Sequence, residues 1–183
     1  MKNIITCILI AFVASYSNAQ SFRKTDKSSL DMAYFPDNFA HDRKAGQKAV
    51  IRVTYSRPLK KDRQIFGKLV KYDEVWRTGA NEATEIKLYT DVKFGGKKVK
   101  AGSYSLFTIP GETEWVIILN SDLDYWGHYS YKEENDVVRF TAKPREIQKT
   151  IEAFSIQFEE KMEGEGVMFM AWDNTVVEIP FKY

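Results

Sequence analysis

From Lys48 to the C-terminus the chain is cut into short runs rich in Val, Ile, Tyr, Phe and Thr, separated at intervals of roughly ten residues by Gly, Pro, Asn or Asp. That rhythm leaves no room for long amphipathic helices and selects an all-β fold. About nine strands are expected: Ala49 to Ser56, Glu85 to Thr90, Val92 to Val99 broken at Gly95-Gly96, Ser103 to Ile109, Glu114 to Asn120, Val137 to Ala142, Ile151 to Phe158, Val167 to Trp172 and Thr175 to Phe181. The links Ala101-Gly102, Pro110-Gly111, Gly164-Glu165-Gly166 and Asp173-Asn174 carry the turn chemistry of tight reversals, so neighbouring strands should run antiparallel. Side chains alternate between the two faces of a strand. Phe154, Ile156 and Phe158 therefore share a buried face, as do Val138, Phe140 and Ala142. The run Trp115-Val116-Ile117-Ile118-Leu119 is apolar on both faces and should be an interior strand covered on its outer side too. The expected architecture is a single antiparallel β-sandwich, jelly-roll or Ig-like, over residues 48–183.

The first residues have a different character. Lys2, the apolar run Ile4 to Ala14 and the small residues Ser17-Asn18-Ala19 are the three parts of a secretory signal. The apolar run is about half of the roughly 20 residues that a membrane span requires. Cleavage is expected after Ala19, giving a chain from Gln20 that is exported, to the periplasm or beyond. Cys7 lies inside the apolar run, too early for a lipid anchor, and its removal leaves no thiol for a disulfide or a metal. Residues 20–47 read as a polar arm whose apolar island, Leu30 to Pro36, should pack on the outside of the domain through Met32, Tyr34 and Phe35.

Charge excludes one class of partner. The sequence holds 27 Lys and Arg against 25 Asp and Glu, and no concentrated basic face is visible, so nucleic acid is not an expected partner. His41 and His128 have no second ligand at metal-binding spacing, so neither a metal nor a cofactor is expected. Nucleophile elbows and phosphate loops are missing from the sequence, and a non-enzymatic role is favoured over catalysis.

The polar residues that invite a function lie in two places. The stretch from Arg57 to Thr84 is far longer than an ordinary connection, and such loops carry function or structure of their own. Within it Ile65, Phe66, Leu69 and Val70 fall at helical spacing, which predicts a short helical turn. Parity places Arg57 in register with Ile51, Val53 and Tyr55, and Glu82 in register with Thr84, Ile86 and Leu88. Both should face inward at the rim and pair with each other, with Arg63 or Arg77 nearby, because a lone buried charge costs several kcal/mol. The cluster Arg57, Arg63, Trp76, Arg77, Asn81 and Glu82 has two readings: an ion-pair network pinning the loop, or a rim pocket for a glycan or small anion with Trp76 as a stacking surface. The second place is Tyr125-Trp126-Gly127-His128-Tyr129-Ser130-Tyr131, where Trp126 is the candidate sugar platform and core capping is the competing role.

Taken together, Tyr55-Ser56-Arg57-Pro58, Arg63, Ile65-Phe66-Gly67, Trp76-Arg77-x-Gly79-Ala80-Asn81-Glu82-Ala83-Thr84, Ala101-Gly102-x-Tyr104-x-Leu106, Ile109-Pro110 and Trp115 are the motifs of a resemblance. From about Leu30 onward the chain resembles a family of exported bacterial proteins catalogued only as a domain of unknown function. The resemblance implies a secreted or periplasmic setting and one domain, and implies no activity. Its most specific string coincides with the excursion that parity singles out. The reading is an exported β-sandwich that binds a glycan or anionic small molecule at this rim. A carboxylate hydrolase at the same rim and a structural or protein-interaction envelope component are the alternatives.

Overall fold

The computed structural model of the protein describes residues 21–183, so the expected leader and its cleavage point lie outside the described residues. Ten strands form among the described residues: β1 (Leu30–Phe35), β2 (Ile51–Ser56), β3 (Thr84–Leu88), β4 (Val92–Phe94), β5 (Lys97–Val99), β6 (Gly102–Ile109), β7 (Trp115–Asn120), β8 (Asp136–Ala142), β9 (Pro144–Met162) and β10 (Glu165–Lys182). They make one sheet in the order β1-β2-β3-β6-β7-β8 and a second in the order β5-β4-β10-β9. Every pairing is antiparallel, and the two sheets enclose one apolar core. This is the all-β sandwich that the spacing predicts.

Alternation explains the layers. Ile51, Val53 and Tyr55 of β2, Ile86 and Leu88 of β3, and Phe154, Ile156 and Phe158 of β9 are all buried between the sheets. On the outer side of β6 and β7, Phe107 and Ile118 are also fully buried. Their cover is the loop after β7: the Phe107 ring meets Tyr131 at 5.1 Å and Tyr125 at 6.1 Å between centroids.

Three expectations are corrected. The apolar island of the arm does not lie outside the domain; it is β1, paired residue for residue with β2 from Leu30 opposite Ser56 to Phe35 opposite Ile51. Phe35 is wholly buried and meets Phe181 edge-on at 4.9 Å, whereas Met32 points outward and is 55% exposed. Ile65 to Val70 is not helical. Gly67, at φ 82, reverses the chain, and the Gly67 N–H donates to Val70 O at 2.8 Å while the Val70 N–H donates to Ile65 O at 3.0 Å. Ile65, Phe66 and Val70 are buried by this turn and Leu69 is left out. Finally, Asp173-Asn174 does not separate two strands. Asp173 takes a left-handed φ of 54 inside β10, with shifts of register against β9 on both sides. A bulge moves the inward parity by one residue. That is why Met168, Met170 and Trp172 face the core before it and Val177, Ile179 and Phe181 after it.

Candidate functional site

The excursion between β2 and β3 and the loop after β7, distant in sequence, are zipped together by their backbones. The Ala83 N–H donates to Tyr125 O at 2.9 Å, the Gly127 N–H donates to Asn81 O at 2.9 Å, and Glu82 and Trp126 face each other as a β-bridge. This short ribbon divides the sequence-predicted residues between two depressions, one on each side.

On one side is a groove of about 590 Å³ over the outer face of the six-stranded sheet. Arg52 and Thr54 of β2, Glu85 of β3 and Ser105 of β6 line its floor, and Asp26, Asn81, Glu82 and Trp126 stand on its walls. Trp126 is 64% exposed, and the loop that carries it is anchored by Tyr125, whose hydroxyl donates to Asp122 at 2.6 Å. That bond to a carboxylate pushes the Tyr125 hydroxyl up to about 12, so it stays a donor. On the floor, Arg52 Nη2 lies 3.5 Å from Glu85 Oε1, while Arg52 Nε is buried with no partner. Asn81, held at φ 59, donates from Nδ2 to Asp26 Oδ1 at 3.0 Å. Asp26 also accepts the Ser28 N–H at 2.7 Å, and that bond, followed by the one from Asn81, holds its carboxyl below the usual range.

On the other side is a cleft of about 400 Å³ that contains Arg63, Lys71, Glu74, Arg77 and His128, with Trp172 at its base. Arg63 spends its guanidinium on local carbonyls, donating from Nε to Lys60 O at 3.1 Å and from Nη2 to Leu59 O. Lys71 is matched with Glu74 at 3.3 Å. Arg77 has no carboxylate partner among the described residues, and its Nε is buried without a hydrogen bond, as is His128 Nδ1.

Two site expectations fail. Arg57 faces inward as parity requires, but it does not meet Glu82. Its Nη1 donates to Asp31 Oδ2 at 2.9 Å, its Nε to Phe154 O at 3.1 Å and its Nη2 to Ser155 Oγ at 2.8 Å, so it ties β2 to β1 and β9. Glu82 lies past the last inward residue, Thr84, where the chain has left the sheet, and is exposed. Trp76 offers no stacking surface either. It is 6% exposed, its Nε1–H donates to Gly79 O at 3.0 Å, and its ring lies parallel to Trp172 at 6.1 Å. Arg52 and Glu85 lie outside the sequence-predicted set, and His128 enters it only as an imidazole without a metal partner; the parity that puts Ile51 and Val53 inside also puts Arg52 and Thr54 outside.

A family model described as "Protein of unknown function (DUF2911)" matches residues 37–181, most of the chain. The protein belongs to the DUF2911 family. No curated protein and no solved structure matches it. The matched span of this DUF2911 chain takes in the ribbon and most of the lining of both depressions, while Arg23, Lys24, Asp26, Ser28 and Leu30 precede it. Among the described residues no helix is long and apolar enough to cross a membrane, and no group of three His, Cys, Asp or Glu side chains is placed to hold a metal ion.

The electrostatics of His128 yield an acid-side prediction. Burial first, and then the Arg77 guanidinium, hold its pKa below 6.5, with Glu74 opposing. In the unfolded chain His128 binds a proton at the ordinary value while the folded protein resists it, so stability rises with pH in this window. It is full above about pH 6.5, and falls as pH drops through that value until the lowered folded pKa is passed. Denaturant midpoints measured from about pH 7.5 to about pH 5 should therefore decline in the native protein and decline less in His128→Gln. Asp26 acts in a separate window below 3.8.

Proposed function

We propose that this is an exported carbohydrate-binding domain whose site is the groove beneath Trp126. The observation that carries the reading is the exposed indole set over a floor of polar groups with bonding capacity to spare. Sugar rings bind through C–H contacts on an aromatic face and hydrogen bonds at the ring edge. Trp126 provides the face, and Arg52, Glu85, Asn81 and Glu82 provide donors and acceptors around it. Charge separates a neutral glycan from an anion. Arg23, Lys24 and Arg52 are outnumbered in this groove by Asp26, Glu82, Glu85 and Asp124, so a polyhydroxylated neutral ligand suits it better than a carboxylate or phosphate. Export past the leader would bring the domain to the compartment where envelope and environmental glycans are found.

Calorimetric titration of the chain from Gln20 with neutral oligosaccharides is the test. Trp126→Ala should weaken binding at least about tenfold, equal to about 1.4 kcal/mol, with the unfolding midpoint unchanged because the side chain is mostly in water. Equal affinity in the two proteins, or no heat with any neutral sugar, removes the proposal. Release of reducing ends during the same titration would instead support the hydrolytic alternative, with Glu82 and Glu85 as the carboxylates that share the groove.

A further inference from the structure

We propose that the cleft on the opposite side of the ribbon is an anion site, in which Arg77 and His128 together bind the oxyanion group, phosphate or carboxylate, of a small organic molecule. This does not depend on the carbohydrate reading.

Three observations carry it. The first is the placement of unpartnered nitrogens. Of the described side chains, only Arg52, Arg77 and His128 have a buried nitrogen without a hydrogen bond, and the last two line the same cleft. Native proteins satisfy such groups, and an unpaired guanidinium drawn partly out of water is more costly than a neutral donor. The second is the charge balance. Glu74 is the single carboxylate among the lining residues, and Lys71 is bonded to it at 3.3 Å. Arg63 and Arg77 are left without a carboxylate, so the cleft is cationic where the Trp126 groove is slightly acidic. Arg and His donors arranged around one space are the recurrent means of holding a planar or tetrahedral oxyanion. The third is size and lining. A volume of about 400 Å³ falls in the range of small-molecule sites, and Val70, Val75 and Trp172 give the body of a ligand apolar walls behind the charged group.

The groups that face His128 are Arg77, Arg63, Lys71 and Glu74 across the cleft and the Tyr129 ring, 5.1 Å away on its own loop. An anion entering beside Arg77 offsets the guanidinium's repulsion of a protonated imidazole and gives His128 an acceptor. Its titration should move upward when the site fills.

The experiment is NMR titration of the imidazole signals of the native chain with inorganic phosphate and, separately, with benzoate, at fixed ionic strength. His41, whose side chain is 89% exposed and paired with Asp42 at 2.6 Å, is the internal control for bulk salt. Saturable movement of His128 with either probe, accompanied by a rise in its pKa that His41 does not share, is the expected result. Phosphate alone or benzoate alone then assigns the class of oxyanion. Arg77→Gln should weaken the effective probe at least about tenfold. It should leave oligosaccharide binding at Trp126 unaltered, so failure here is distinguishable from failure of the glycan reading. His128 signals that stay fixed into tens of millimolar of both probes, or that move in parallel with His41, overturn the proposal, and this holds even if Arg77→Gln does not fold.

Discussion

Trp76→Ala is expected to lower stability by about 3–5 kcal/mol, the range for truncating a buried large aromatic, and to lower the melting temperature on the order of 10 °C. Trp76 is the hub of an aromatic cluster: Phe66, Trp115 and Phe154 meet it edge-on at 6.1, 6.3 and 5.1 Å, and Trp172 lies parallel to it. The same indole closes the turn after it by donating to Gly79 O, so its loss also leaves a carbonyl unsatisfied. Chemical denaturation of the variant gives the number directly. A cost under about 1 kcal/mol would mean that the excursion is not held by this cluster and would return Trp76 to consideration as a ligand surface. A full loss with retained oligosaccharide binding at low temperature separates the two tryptophans cleanly, Trp76 holding the scaffold and Trp126 meeting the ligand.

That separation is what the sequence could not supply. Period-two alternation is a local signal, and it read β2, β3 and the middle of β9 correctly because one face of each is polar. It also recognised β7, where apolar residues on both sides require cover, and the cover is the Tyr125 to Tyr131 loop. In β1 the apolar residues fall in both parities, Leu30, Met32 and Tyr34 on one and Ala33 and Phe35 on the other, so alternation cancels and the strand is hidden. At Asp173-Asn174 the chemistry was read well and the geometry was not, since a left-handed residue serves a bulge as readily as a turn. The site was half legible for the same reason. Asn81 and Glu82 were singled out in one segment and Trp126 in another, and only the backbone ribbon, a contact between residues more than forty positions apart, brings them to one groove. Arg52 and Glu85 follow from the same parity, as the outward neighbours of Ile51, Val53 and Ile86.

Arg57 is the residue whose orientation was legible and whose partner was not, and its replacement is the second large effect. Arg57→Ala is expected to cost about 2–3 kcal/mol in a denaturant titration, the upper part of the range for hydrogen bonds made by a charged group. The ion pair itself is not the main part. The Arg57 and Asp31 side chains are 36% and 42% exposed, and pairs so open to water contribute about 1 kcal/mol or less. The larger share lies across the sandwich, where Arg57 Nε satisfies Phe154 O and Nη2 engages Ser155 Oγ. One turn of alternation earlier, Tyr55 reaches the same strand: its hydroxyl accepts the Ile156 N–H at 3.0 Å and donates to Ile156 O at 3.4 Å. Burial pushes that hydroxyl's pKa up, so it remains protonated and able to donate. Tyr55 of β2 and Arg57, the next inward residue just past its end, thus satisfy the backbone of β9, an edge strand whose polar groups face the other sheet at this point. A double-mutant cycle with Asp31→Asn should return a coupling of about 1 kcal/mol or less, while Arg57→Ala alone costs more than twice that. If the coupling instead accounts for the whole loss, the bonds to β9 are incidental and Arg57 belongs to the surface. If the cost is as expected and oligosaccharide and phosphate binding both survive it, Arg57 is a staple between the sheets and belongs to neither depression.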